Sequence, residues 1–207
     1  MPRTFNDLRV EVLARGVQYL SDTAGLLRVG QWLNDAAHEV DEVEAWPYLH
    51  ATIAGTGTVA IPDLGRVLWV ADTSGPRMLE VGDQQQLVEM FGALTLTGQP
   101  AWFFVQDPAG VPTVSVFPVS AGTPLSVRYS KIAADMVAGT DELLMPERFR
   151  EAVVQYAFAR ALRERSDYEE AAVAQQAGDV IVARMRDFYG ERARVSSQVI
   201  VDGAGDW

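Results

Sequence analysis

The chain has 207 residues, 48% of them apolar and 22% charged, and a formal net charge of −11. This is a globular balance, with enough length to bury roughly 70% of the unfolded surface in one large domain or two small ones. The acidic charge argues against a phosphate-neutralising nucleic-acid face or docking on an anionic membrane, and the lack of cysteine excludes disulfides, thiolate zinc sites and cysteine nucleophiles.

No run approaches the ~20 apolar residues of a spanning helix, and MPRTFNDLR has no signal-peptide core, so a soluble, cytosolically made chain is expected. Thr4 with Asp7 three residues on has the spacing of a capping box, and Phe5, Leu8, Val12 and Tyr19 then recur near helical spacing. Ser21, Asp22 and Thr23 offer the next cap. Behind them Val29, Leu33, Ala36, Val40 and Val43 form a helical stripe that Trp46-Pro47 closes.

From about Thr52 to Ser130, Gly and Pro punctuate short β-branched and aromatic runs: TVAIP, RVLWVA, RMLEV, AWFFVQ, PTVSVFPV and PLSVRYS. Leu125, Val127 and Tyr129 alternate with polar residues, as in a half-buried strand. DPAGVP at 107–112 predicts a hairpin turn, and DQQQLVEMFG a helix between the third and fourth runs. The expectation is a small antiparallel sheet or barrel.

KIAADMVAGTDELLM predicts one short helix and a loop at Gly139-Thr140. Pro146 suits a first helical position, with Leu144 and Phe149 spaced as a staple. Two lines, Val153, Tyr156, Ala157 and Val154, Phe158, Ala161, then make an apolar face wider than one partner helix needs. A last helix carries Ala171, Ala174, Gly178, Ile181, Met185 and Phe188 at heptad spacing and is expected to end at Gly190; the small Gly178 predicts a close passing backbone. SQVIV near the end could make one strand, which frays or adds to another chain.

A catalytic constellation is missing from these patterns. GTGT at 55–58 lacks the GK[ST] of a phosphate loop, His38 lies on a polar helix flank, and His50 suits a helix-to-sheet junction. Asp41, Glu42 and Glu44 are read as a solvated helix end, and Glu169 and Glu170 complement a helix dipole. Of the seventeen cationic residues only Lys131 is lysine, through GC-rich coding or because arginine suits partly buried ion pairs. Arg148, Arg150, Arg160, Arg163 and Arg165 fit either a salt-bridged face or pairing with a neighbouring chain.

In order along the chain, WLNDAAHEVDEVEAWPYL, PLSVRYSKIAADM and LMPERFREAVVQYAFARALRERSDYEEA resemble the head–tail adaptor (connector) proteins of tailed bacteriophages over about residues 4–190. The final seventeen residues match nothing in that pattern. The fold class expected is α+β: a discontinuous helical domain (1–50 and 131–190), an antiparallel β domain (51–130) and an extended tail (191–207). The resemblance implies a non-enzymatic virion protein without cofactors, built in the host cytoplasm and placed at the head–tail junction. It implies a ring of about twelve copies beneath the portal, contacting neck, tail or head-completion proteins and passing DNA without binding it. Contacts between copies are expected at Tyr156, Phe158, Arg160, Arg163, Ile181, Met185, Phe188, Val199, Ile200 and Val201. The alternatives are another neck or tail-completion protein, a small hydrolase using carboxylates, or a ligand carrier lined by Trp69, Trp102, Phe103 and Phe104.

Overall fold

The computed structural model describes residues 3–75 and 77–202, with 191–202 described by backbone alone. The chain divides into two compact units, with cuts after Tyr48 and after Ile132. Its fold class is α+β, with helices at both ends of the chain and strands between.

The helical unit begins with α1 (Phe5–Ala14), opened by the expected capping box. The Thr4 amide donates to Asp7 Oδ2 at 2.8 Å, and the Asp7 amide donates to Thr4 Oγ1 at 3.3 Å. Phe5, Leu8 and Val12 are buried, whereas Tyr19 lies beyond the helix in a 3-10 turn and stays half exposed. In α2 (Thr23–Val43) the capping atom belongs to Asp22, which accepts from the Gly25 amide at 2.8 Å. Gly25 must be glycine, since a Cβ there would lie 2.3 Å from the Leu20 carbonyl oxygen. The stripe Val29, Leu33, Ala36 and Val40 is buried, and the Trp46 indole donates to the Val40 carbonyl at 2.7 Å as the chain leaves the helix.

The short helix expected within 131–145 does not form, because side chains take the backbone groups a helix would use. Asp141 Oδ2 accepts from the Val137 and Ala138 amides, both at 2.7 Å. Asn34 on α2 holds Met136 reciprocally, donating to its carbonyl at 3.1 Å and accepting from its amide at 3.0 Å. Pro146 caps a 3-10 turn at Glu147–Phe149, one turn ahead of α4 (Arg150–Glu164), so it does not occupy the first α-helical position. Met145 and Phe149 are both buried at this junction, while Leu144 is half exposed.

The last helix, α5 (Tyr168–Asp202), runs through Gly190, contrary to the stop and the extended tail expected there. Gly190 is not among the positive-φ glycines, so it does not adopt a left-handed cap. A single interior glycine costs a helix only about 1 kcal/mol, which the helix formers of ERAR offset. Residues 203–207 lie outside the described residues.

The β unit contains β1 (His50–Thr56), β2 (Thr58–Ala60), β3 (Leu64–Asp72), β4 (Arg77–Met78), β5 (Glu80–Val81), α3 (Gln84–Phe91), β6 (Trp102–Gln106), β7 (Thr113–Phe117) and β8 (Pro124–Lys131). The strand order is β4-β3-β8-β1-β2-β7-β6-β5. All pairings are antiparallel except β5 with β6, which is parallel, so the expected antiparallel domain is mixed at one seam. The two ends of that order, β4 and β5, are one continuous segment. Arg77 and Met78 pair with β3, the Leu79 amide donates to the Val70 carbonyl at 2.9 Å, and the Glu80 amide donates to the Ala101 carbonyl at 3.0 Å. A change of partner at Leu79 thus closes the strands into a barrel, which removes the open edges of a sheet.

Inside the barrel Val59, Val70, Leu79, Phe103, Val114, Val116, Leu125 and Val127 form one core. Outside it, Leu87 of α3 packs with Phe104 and Phe117 on β6 and β7. The aromatics weighed as a ligand pocket are therefore divided: Phe103 faces the barrel core, and Phe104 lies under α3.

Candidate assembly surfaces

The apolar run of α4 is buried all round. Ala152, Val153, Val154, Tyr156, Ala157, Phe158, Ala159, Ala161 and Leu162 are all buried. The width that suggested a second chain is taken up by α1, α2 and α5 of the same chain, which all pack on α4. A helix apolar on every side belongs in the middle of a bundle.

The α5 seam has the expected register. Ala171, Ala174, Gly178 and Met185 are buried, and Ile181 and Phe188 are partly open. Gly178 makes room for a side chain, where a neighbouring backbone was anticipated: a Cβ there would lie 2.4 Å from Tyr156 Cε1. The Tyr156 hydroxyl donates to Asp179 Oδ1 at 2.7 Å. Burial, reinforced by that acceptor, pushes the Tyr156 phenol far up.

The arginines are largely engaged within the helical unit. Arg150 is buried and donates to three carbonyls, of Met145 at 3.0 Å, Leu143 at 2.8 Å and Arg3 at 2.7 Å, with Glu147 as its counter-charge at 2.9 Å. Arg160 pairs with Glu39 at 2.8 Å and reaches the Trp32 carbonyl. Arg163 is exposed and donates to Gln175 at 3.3 Å. Arg165 pairs with Asp167. Arg148 lies 3.4 Å over the Phe188 ring, itself packed against Phe149, which is a cation–π contact. His38 Nε2 meets Asp135 Oδ1 at 2.7 Å, and Asp41 accepts from the Tyr48 hydroxyl at 2.6 Å. Burial raises the Asp41 carboxyl above its ordinary range despite the Tyr48 hydrogen bond.

Of the expected contact residues, Tyr156, Phe158 and Met185 lie inside one copy, Arg160 is paired within it, and Arg163, Ile181 and Phe188 reach its surface. The side chains of Val199, Ile200 and Val201 lie outside the described residues, although their backbone continues α5. Sequence reasoning missed the outer face of α5, where Val173 and Val180 stand seven residues apart and exposed. Their spacing was visible as a second heptad line. Among the described residues no group of three or more His, Cys, Asp or Glu is placed to hold a metal ion, and no helix is long and apolar enough to cross a membrane.

In this unit many of the described polar side chains serve caps, turns and ion pairs. The family model described as SU10 adaptor protein matches residues 3–202, and the chain belongs to that family. The resemblance to phage head–tail adaptors stands on the same match. The protein is a structural phage adaptor, a virion component that assembles with other virion proteins, in a class that is not enzymatic. No curated protein matches the chain.

Proposed function

We propose that the protein forms a ring of about twelve copies beneath the portal, joining the capsid vertex to the neck or tail and leaving a channel for DNA. The family match over 3–202 carries this reading. A closed ring needs two different contact faces on every copy. The exposed apolar residues Val173 and Val180 of α5, together with Ile181, Phe188 and Arg163, are assigned to one such face, and Tyr156, Phe158 and Met185 hold the helix pair that presents it. Arg160 steadies α4 against α2, and Val199, Ile200 and Val201 extend the contact along α5. The net charge of −11 suits a conduit that repels phosphate and lets DNA slide.

The test is electron microscopy of the purified protein mixed with its portal protein. An annulus stacked coaxially on the portal supports the reading. A portal that remains bare at saturating protein overturns it.

A further inference from the structure

Between the helical unit and the barrel the chain crosses twice, outward at Tyr48–Leu49 and back at Ile132–Ala133. Both crossings are fastened by one stripe of α2. Asn34, His38 and Asp41 are spaced four and three residues apart, so they share a helix face. Asn34 bonds the Met136 amide at 3.0 Å and its carbonyl at 3.1 Å, and His38 Nε2 meets Asp135 Oδ1 at 2.7 Å. Asp41 Oδ1 accepts from the Tyr48 hydroxyl at 2.6 Å. The outgoing and the returning chain are thus held on the same face of the same helix.

Little chain is left between these fastenings and the barrel. Only Leu49 separates Tyr48 from His50, which pairs with Ser130 where β1 meets β8. Only Ala133 and Ala134 separate Asp135 from Ile132, whose amide donates to the Asp63 carbonyl at 2.8 Å. Two extended residues span ~7 Å at most. Further along, the Gly139 carbonyl accepts from the Asn6 amide of α1 at 3.0 Å. With the Asn34 and His38 contacts undone, the run 133–138 up to that anchor would extend to ~20 Å.

Apolar packing adds little to the hold. Of residues 132–140 only Met136 is buried, and Ile132 and Val137 stand exposed. A hollow of about 30 Å³ is lined by Asn34, His38 and Asp41 of α2 together with Ala133, Ala134 and Met136, so the two surfaces do not pack tightly. Polar contacts therefore decide whether this stretch stays down. We infer that Asn34, His38 and Asp41 form a latch: closed, it keeps both crossings taut, and open, it lets the barrel move as a separate body while the bundle stays folded. The bundle core lies around α4, away from the latch, so opening leaves it intact. The latch works within one copy, whether or not copies close into a ring.

The chain has no cysteine, so Ala24→Cys on α2 and Gln86→Cys on α3, both at exposed positions, put one spin label on each unit. Double electron–electron resonance reads the distance between them, with labelled chain diluted in unlabelled chain to suppress signals between copies. The parent is expected to give one narrow distance, and Asn34→Ala/His38→Ala a distribution at least about twofold wider, as the added slack allows. Tyr48→Phe keeps the ring stacked on Trp46 and loses the bond to Asp41, so it widens the distribution on its own. It carries the test should circular dichroism show the double variant unfolded. Gly178→Ala loosens the bundle away from the latch and is expected to keep the parent's width. A broad distribution in the parent overturns the latch. So does an unchanged width in the folded latch variants, or an equal widening in Gly178→Ala.

Discussion

Gly178 of α5 lies against the ring of Tyr156 on α4, so closely that the smallest side chain would lie 2.4 Å from Tyr156 Cε1. Helix propensity alone says that Gly178→Ala stabilises by about 1 kcal/mol. The contact says the opposite, because the ring is hemmed in by a buried helix. The expected outcome is a net loss of about 1–3 kcal/mol in thermal or denaturant melts. Tyr156→Phe keeps the ring and loses the bond to Asp179, so it should cost no more than about 1 kcal/mol.

Arg150 ties three carbonyls of otherwise irregular chain to the start of α4. Removing it leaves those acceptors without their donor. Arg150→Ala is expected to destabilise by about 3 kcal/mol or more. Arg150→Lys should recover little of that, since one ammonium cannot span the fork that the guanidinium does. Equilibrium urea unfolding of both variants measures the difference.

Asp41 gives a pH test whose sign is fixed by burial. Its folded-state value is raised above the ordinary 3.8, so its contribution to stability is full below that value and is lost as pH rises through the folded one. Asp41→Asn cannot ionise and still offers an oxygen to the Tyr48 hydroxyl. The variant should melt higher than the parent at pH 7, with the gain shrinking as the pH falls below about 4. A gain that grows on acidification contradicts the assignment.

Leu79 is where the barrel closes, buried in the core and pairing its amide with Val70. Leu79→Ala is expected to cost about 2–5 kcal/mol. Native-state hydrogen exchange should show amides on both flanking strands, β3 and β6, losing protection together. Loss on β3 alone would mean that the segment does not close the barrel.

The legible parts of the fold were those written locally. The Thr4–Asp7 box, the α2 stripe, the Asp83-to-Gly92 helix and the heptad line of α5 each sit within one segment, and each formed. What escaped was set by distant chain. HATIAGT carries too much Ala and Gly to announce β1, which gains its order from the full-length register with β8. The closure at Leu79 needs two strands that lie on either side of it in sequence. The breadth of α4's apolar face was visible, but its cover was not, because only the fold brings α1 and α2 onto it. The same holds for Asn34, whose partner Met136 lies 102 residues further along the chain.

The central claim is that copies of this chain close into a ring at the capsid vertex. Native mass spectrometry of the purified protein, alone and with portal protein, tests it most directly. The account predicts one dominant assembly whose mass is a fixed whole multiple of the 22.7 kDa chain, with portal bound when it is supplied. A single species of 22.7 kDa at every concentration, unchanged by portal, contradicts it.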